Sequence, residues 1–110
     1  MSSNHRAQAQ RVIDLEINAI RNLAGLLDDQ FEQAVAAVLA SRGKLVVCGM
    51  GKSGLIGKKI AATLASTGTP SFFLHPAEAW HGDLGMITCH DVVIAISQSG
   101  KSDELLRIIP

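Results

Sequence analysis

The stretch LVVCGMGKSGLIGKKIAATLAS, residues 45–66, decides the fold of this chain. Its first four residues are apolar and rich in β-branched side chains, a pattern typical of a strand buried on both faces. Three glycines follow within six residues, at Gly49, Gly51 and Gly54. Apolar residues then recur at helical spacing until Gly68 and Pro70 end the pattern. The stretch therefore predicts a strand, a glycine loop and a helix, in that order.

A glycine loop that leads into a helix brings several backbone N–H groups around one point. The partial positive charge of the helix N-terminus adds to them, so such a loop binds anions, most often phosphate. The segment 49–54 is therefore the first candidate binding site.

The composition indicates a globular protein. The chain has 110 residues, of which 47% are hydrophobic and 18% charged, and its ten basic and ten acidic residues cancel. This balance favours neither nucleic acid nor an anionic membrane surface as a partner. No apolar run approaches the roughly 18 residues of a membrane helix. Cys48 and Cys89 have neither metal-site nor disulfide-framework spacing, which predicts free thiols in a reducing cytoplasm.

Two amphipathic helices are predicted before residues 45–66. Apolar residues of the first recur in steps of four and three, at Ile13, Ile17, Ile20, Ala24 and Leu27. Asp29 and Glu32 resemble a capping box that opens the second helix, and Gly43 ends it. One interpretation is that both helices cover a face of the sheet. The alternative is that the first helix packs against a partner subunit.

Two more strands are predicted after residues 45–66. The second strand of the chain is predicted at residues 71–74, and a third, buried strand at residues 92–96. The segment between them, residues 77–87, has no clean period and is predicted to be a loop that forms a site wall, since it carries Glu78, Trp80, His81 and Asp83. Strands that alternate with helices predict an α/β fold with a parallel sheet.

The last helix has only about two turns before Pro110, so we expect the chain to end inside the fourth core element of a larger domain. A complete small α/β protein is the alternative.

Two familiar phosphate motifs fit the glycine loop poorly. A Walker-type loop is excluded because Val46 stands where that motif has its first glycine. Residues 49–54 match the dinucleotide pattern GxGxxG, but that fold needs an acidic residue at the end of the second strand, where this chain has Leu74-His75-Pro76. Dinucleotide binding is therefore disfavoured.

A second polar loop, residues 97–102, follows the third strand. Loops at the carboxyl ends of neighbouring parallel strands meet in one crevice. The two loops together offer many neutral donors and few charges, which suits a phosphomonoester: Ser53, Ser97, Gln98, Ser99 and Ser102.

The motifs GMGKSG, STGTPSFF and HPAEAWHGDLGM and the serine loop follow one another within residues 46–104. With them the chain closely resembles the sugar isomerase (SIS) domain, and within it the arabinose-5-phosphate isomerases of the 3-deoxy-manno-octulosonate (Kdo) and capsule pathways. The resemblance implies a three-layer, doubly wound, flavodoxin-like parallel sheet. Residues 1–42 would then be an N-terminal helical segment, and residues 43–110 the first, incomplete part of the SIS domain.

The resemblance also implies an activity, the interconversion of D-arabinose 5-phosphate and D-ribulose 5-phosphate through an enediol. This is an intramolecular aldose–ketose isomerisation that needs no cofactor and no metal. It would supply a precursor of lipopolysaccharide or capsule. The family further implies a cytoplasmic homo-oligomer, a dimer or a tetramer, that binds a phosphorylated pentose and neither nucleic acid nor membrane.

The family's site residues carry over where the motifs match. Lys52 would polarise the carbonyl or pair with phosphate, His81 would act in acid/base chemistry or hold a hydroxyl, and Glu104 is a candidate base. The implied phosphate-binding residues are Gly51, Ser53, Gly54, Ser97, Gln98, Ser99, Gly100 and Ser102. Each catalytic candidate has a structural alternative: a solvated loop lysine, a structural donor and a first-turn helix acid, respectively.

Other functions stay open beside this one. The chain is also consistent with a SIS module that senses a phosphosugar without converting it, or with an assembly unit covered by another copy. We expect the 110-residue chain alone to be inactive, because the family's further strands, glutamate and histidine would lie beyond Pro110. The spacing of His75, His81, Asp83 and His90 fits no established zinc pattern.

Overall fold

The computed structural model describes residues 4–80 and 82–98, apart from the side chains of Trp80 and Asp83. Its elements are α1 (His5–Ala24), α2 (Asp29–Ala40), β1 (Leu45–Gly49), α3 (Gly51–Ser66), β2 (Ser71–Leu74), α4 (Pro76–Trp80), a 3-10 turn (Asp83–Met86) and β3 (Val92–Ile96). Within these described ranges no helix is long and apolar enough to cross a membrane.

The three strands form one parallel sheet in the order β2-β1-β3. At the carboxyl edge Cys48 pairs with Leu74, and Gly49 pairs with Ile96. All three strands therefore end at the same edge, as the predicted parallel α/β fold requires. The segments that follow them start side by side.

β1 lies in the middle and every residue of it is buried, which confirms the strand predicted there. On one face Val46 and Cys48 pack with Leu74 and with Ala79 of α4. On the other face Leu45 and Val47 pack with Ala61 of α3, with Val38 of α2 partly buried against them. Helices thus lie on both faces of the sheet, which makes a three-layer α/β architecture.

Three sequence predictions need correction. Residues 77–87 are not all loop, since they contribute to α4 and the 3-10 turn. These elements are too short to show a helical period. β3 is only partly buried, because it is an edge strand of the described sheet and Val93 remains 44% exposed. The cap of α2 is Asp28, not Asp29: the Asp28 carboxylate accepts the backbone N–H groups of Gln30 and Phe31 at 3.0 and 3.4 Å.

The amino ends of β1 and β3 are joined by a single carboxylate. Asp91 Oδ1 accepts the backbone N–H of Lys44 at 2.6 Å, and Oδ2 accepts that of Thr88 at 2.8 Å. These two charge-assisted bonds hold the pKa of Asp91 below its ordinary value. Gly43 lies against Asp91 and His90 so closely that a side chain there has no room. We call these two hydrogen bonds of Asp91, to Lys44 and Thr88, the clamp. The clamp fixes the strands at the edge opposite to the candidate site.

The chain divides into two compact units, with the boundary after Val35. The first unit contains α1 and the first part of α2. The Asn4 side chain caps α1 by accepting the backbone N–H of Ala7 at 3.0 Å. No residue of α1 or α2 is buried. The second unit contains the sheet and its helices.

Candidate functional site

The glycine loop between β1 and α3 is as short as such a connection can be. Met50 continues the extended backbone of the strand, with φ −111° and ψ 148°, and α3 begins at Gly51. Gly51 has φ +58°, in the left-handed region that glycine adopts without steric cost. This residue turns the chain from the strand direction into the helix.

The start of α3 is pressed against the end of β1. A Cβ on Gly54 would lie 2.8 Å from the carbonyl oxygen of Gly49, and one on Gly49 would lie 3.0 Å from the backbone carbonyl of Ser53. One turn later, a Cβ on Gly57 would lie 3.1 Å from the Phe73 ring. The helix therefore approaches the sheet along glycines, and its N-terminus is held at the carboxyl edge.

The first backbone hydrogen bond of α3 runs from the N–H of Gly54 to the carbonyl of Met50, at 3.2 Å. In an α-helix the N–H groups before that bond have no intrahelical acceptor. For α3 these belong to Gly51, Lys52 and Ser53. The three donors and the positive end of the helix dipole form a ready anion site. Gly54 serves this site by letting the helix approach β1, since its own N–H is already bonded.

The side chains of this first turn differ in exposure. Lys52 is exposed and Ser53 is half-buried. A lysine ammonium at a helix N-terminus can reach an anion bound there as a flexible point charge. Ser53 adds a hydroxyl donor close to the same backbone groups.

The loop after β3 begins beside the glycine loop. Gly49 pairs with Ile96, so the next residues of the two strands, Met50 and Ser97, follow side by side at the same edge. Ser97 is half-buried and Gln98 is exposed. The sheet thus brings the start of the second polar loop next to the start of α3. The other predicted site residues lie outside the described residues: His81, Ser99, Gly100, Ser102 and Glu104.

One residue of the same edge was not predicted as part of the site. His75 follows β2, next to Leu74, which pairs with Cys48. Its Nδ1 accepts the backbone N–H of Ala77 at 3.1 Å, and its carbonyl accepts that of Ala79 at 2.9 Å. His75 therefore caps α4, with Pro76 as the first helical residue. The side-chain bond requires the neutral ring with its proton on Nε2.

The sequence signal for this cap is the pair His75-Pro76 at the end of a strand. A proline at the first position of a helix indicates that the residue before it is the cap. The histidines and acidic residues of the segment also raise the question of a metal site. In the part of the chain that the structure describes, no group of three or more His, Cys, Asp or Glu residues could hold a metal ion.

Cys48 lies one residue before the glycine loop, but its environment makes it unreactive. It is fully buried, and burial raises the pKa of its thiol because the thiolate is poorly solvated there. Cys89 is exposed, and both thiols are free. Cys48 therefore acts as a small core residue of β1.

A family profile for the SIS domain matches residues 38–110. This chain belongs to the SIS domain family. The match covers β1, α3, β2 and β3, together with both polar loops of the candidate site. The glycine-lined approach of α3 and the paired strand ends are thus features of a SIS domain in this chain.

Several curated proteins are similar to this SIS domain. An arabinose 5-phosphate isomerase KdsD of Pseudomonas aeruginosa is 59% identical over 102 residues, which are 93% of this chain and 31% of that protein. A protein of Haemophilus influenzae named as an arabinose 5-phosphate isomerase is 53% identical over 107 residues, which cover 97% of this chain and 32% of its own length. The chain therefore spans about a third of the length of the curated relatives it matches.

Solved structures share the fold. A Bacteroides fragilis protein described as a phosphosugar isomerase involved in capsule formation has a TM-score of 0.89 at 40% identity, over 96% of this chain and 56% of that one. An Escherichia coli CFT073 protein in complex with arabinose 5-phosphate has a TM-score of 0.80 at 41% identity, over 98% of this chain and 59% of that one. The SIS fold inferred from the sequence is confirmed.

Proposed function

We propose that this SIS domain belongs to an aldose–ketose isomerase that interconverts D-arabinose 5-phosphate and D-ribulose 5-phosphate. The observation that carries the proposal is the 59% identity to an arabinose 5-phosphate isomerase over 93% of this chain. The solved relative in complex with arabinose 5-phosphate adds support. Because the chain spans about a third of such relatives, the activity is proposed for the protein to which the domain belongs.

The phosphate group would bind at the start of α3. The free N–H groups of residues 51–53 and the Ser53 hydroxyl are donors at that point, and Ser97 starts the neighbouring loop at the same edge. Gln98, Ser99, Gly100 and Ser102 are proposed to complete the cradle. Neutral donors bind a phosphate dianion by hydrogen bonding and leave Lys52 to balance its charge.

The isomerisation moves one proton between two carbons. A base removes the proton from C2 of the aldose as the carbonyl electrons move to the C1 oxygen, which takes up a proton to give an enediol. The C2 hydroxyl then gives up its proton as the carbonyl of the ketose forms at C2, and C1 takes up the proton held by the base. The reaction needs a base within hydrogen-bond reach and a group that stabilises the developing oxyanion.

Three residues are proposed for these steps. Lys52, in the first turn of α3, would stabilise the oxyanion or the phosphate. His81 and Glu104 would share the proton transfers and the handling of the sugar hydroxyls. His81 is the next residue in the sequence after α4.

The setting of the enzyme is part of the proposal. The family resemblance supports a homo-oligomer and a role in making a lipopolysaccharide or capsule precursor. The exposed free thiol of Cys89 supports a reducing compartment such as the cytoplasm. Nothing in the proposed chemistry requires a cofactor.

The first experiment is a thermal shift with arabinose 5-phosphate, ribulose 5-phosphate, glucosamine 6-phosphate and NAD. A ligand at ~100 times its dissociation constant adds about 2.7 kcal/mol to the free energy of unfolding. We expect the pentose phosphates to raise the melting temperature and NAD to leave it unchanged. Stabilisation by NAD and not by the pentose phosphates would refute a phosphosugar site.

The second experiment separates an isomerase from a phosphosugar sensor. The 102 matched residues of the Pseudomonas aeruginosa isomerase are replaced by those of this chain, and the chimera is assayed for turnover. We expect an active chimera that Lys52→Met inactivates without loss of folding. A folded chimera that binds arabinose 5-phosphate but does not turn it over favours the non-catalytic binding module. The chain alone is assayed beside it, and we expect no turnover from it.

A further inference from the structure

The ring of Phe73 lies in a notch on α3 that two glycines leave open. Phe73 is a half-buried residue of β2, on the sheet face that α3 covers. A Cβ on Gly57 would lie 3.1 Å from its Cε1 atom, and a Cβ on Gly54 would lie 3.5 Å from its Cζ atom. Both glycines are buried. The ring therefore occupies the space that side chains at these two helix positions would take.

A lysine of the same helix also holds this ring. Nζ of Lys58 is 5.5 Å from the centroid of the Phe73 ring, which is within the range of a cation–π interaction. Lys58 directly follows Gly57 in α3. The ring is thus bound to one turn of α3 in two ways, by van der Waals contact at the glycines and by attraction of the ammonium.

These contacts give the start of α3 a second point of support. The first point is on β1, where Gly54 packs on the carbonyl oxygen of Gly49. Contact with β1 alone would let the helix tilt about that point, whereas contact with both β1 and β2 fixes its height and its tilt over the sheet. The free N–H groups of residues 51–53 lie within one helical turn of Gly54, so their direction follows the tilt of the helix.

We propose that Phe73 is a positioning residue of the anion site, and that through α3 it aims the N–H groups of residues 51–53 and the Lys52 side chain at the phosphate of the substrate. The inference rests on the phosphosugar site proposed above and names the residue of β2 that holds this site in place. Phe73 acts through the helix and not by contact with the anion. Small displacements matter in such a site, since a misplacement of about 1 Å can cost about 100-fold in rate.

Two matched variants of β2 test this role. Phe73→Val removes every ring atom near the glycines and keeps a β-branched residue that suits a strand. Phe72→Val makes the same change on the opposite face, where Phe72 packs against the cluster of Val46 and Ala79. Isothermal titration calorimetry with arabinose 5-phosphate and with inorganic phosphate measures binding, and circular dichroism confirms that each variant is folded. We expect Phe73→Val to weaken binding of both anions about tenfold or more, and Phe72→Val to stay within about twofold of the wild type.

Refilling the notch gives a readout that a merely structural role would not produce. Gly57→Ala alone presses a methyl group on the ring and is expected to weaken binding about twofold to threefold. In the Phe73→Val background the ring is gone, so the same methyl group fills part of the empty notch. We expect Gly57→Ala/Phe73→Val to bind more tightly than Phe73→Val, within about threefold of the wild type. Losses that simply add in the double variant would contradict the proposal.

The lysine over the ring is tested with its neighbour as the control. Lys58→Met removes the ammonium and keeps an unbranched side chain, whereas Lys59→Met removes an equal charge from the next, exposed residue of α3. We expect Lys58→Met to weaken binding about threefold, because the ring loses its cation, and Lys59→Met to bind like the wild type. Equal losses in the two variants would assign the effect to net charge and not to the hold on the ring.

The outcomes separate this role from the proposed function. Binding of arabinose 5-phosphate that falls equally, or not at all, in Phe73→Val and Phe72→Val overturns the role of Phe73 and leaves the isomerase proposal intact. Binding of inorganic phosphate but of no pentose phosphate, with a selective loss in Phe73→Val, supports the role and counts against the isomerase. A wild-type chain and a chimera that bind neither anion overturn both. Phe73→Leu, which keeps more of the side-chain volume, replaces Phe73→Val if that variant does not fold.

Discussion

Gly54 packs directly on the carbonyl oxygen of Gly49, where a Cβ at Gly54 would stand only 2.8 Å away. Cβ atoms do not approach other heavy atoms closer than 3.0 Å, and this neighbour is backbone, which cannot rotate aside. The contact holds the start of α3 at the end of β1. It thereby decides where the free N–H groups of residues 51–53 lie.

Gly54→Ala is expected to destabilise the fold. The added methyl group forces α3 away from β1, and overpacking of this kind costs about 1 to 3 kcal/mol. The better helix propensity of alanine returns at most about 1 kcal/mol. Urea unfolding followed by circular dichroism measures the difference.

Two other glycines calibrate that measurement. Gly57→Ala is expected to cost less, because its neighbours are the Phe73 ring and a Val47 methyl group, which can shift. Gly85→Ala meets nothing within 4 Å and is expected to be neutral. A Gly54→Ala protein as stable as Gly85→Ala would show that the close approach is not required.

Removing the Asp91 carboxylate is expected to flatten the acid side of the stability profile. The backbone N–H groups of Lys44 and Thr88 lower the pKa of Asp91 in the folded state. The stabilisation is therefore present above the ordinary carboxyl pKa and is lost as the pH falls through the lowered value. Asp91→Asn is expected to melt lower at pH 7 and to lose less stability between pH 7 and pH 3 than the wild type.

The carboxyl group of Glu78, outside the clamp, supplies the control for this pH series. Glu78→Gln removes one negative charge without touching the clamp, so we expect it to retain the wild-type loss of stability in acid. If Asp91→Asn and the wild type fall in parallel from pH 7 to pH 3, the two backbone bonds do not contribute to pH-dependent stability.

Replacing Lys52 is expected to weaken the binding of a pentose 5-phosphate. Hydrogen bonds to a charged group contribute about 1.5 to 3 kcal/mol, so Lys52→Gln should raise the dissociation constant roughly tenfold or more. Isothermal titration calorimetry measures it. Lys59→Gln, exposed and two turns further along α3, is the control and should bind like the wild type. Equal losses in both variants would mean that general charge, not position at the helix start, matters.

The two thiols are expected to differ in reactivity. Cys89 is exposed, whereas Cys48 is buried with a raised pKa. Ellman's reagent at pH 8 should therefore titrate one thiol in the native chain and both in denaturant. The Cys89→Ser variant should not react with the reagent until it is unfolded. Rapid reaction of Cys48 in that native variant would show that the centre of the sheet opens.

The local sequence predicts several elements of this structure. The strands at 71–74 and 92–96 have the predicted bounds, because each is a short continuous apolar run between turn residues. The helices could be predicted from their periods, and the glycine loop between β1 and α3 from its composition. The SIS family and its candidate site residues follow from motifs in one continuous stretch.

Other features depend on contacts that local sequence does not contain. Lys44 and Asp91 are bonded across 47 positions, and nothing near either residue predicts the other. α4 has only five residues, too few to show a period. The order β2-β1-β3 sets Ser97 beside the glycine loop.

The sequence by itself therefore determined which segments are strands and helices and which loops carry donors for an anion. Those properties depend on side chains a few positions apart. Only the tertiary structure decided the strand order β2-β1-β3 that makes those loops neighbours, and that Gly54 is needed for close packing, with its own N–H already bonded. Strand pairing and the approach of a helix to a sheet bring together backbone atoms from distant positions. Because the backbone is the same at every residue, the local sequence carries no signal for these contacts.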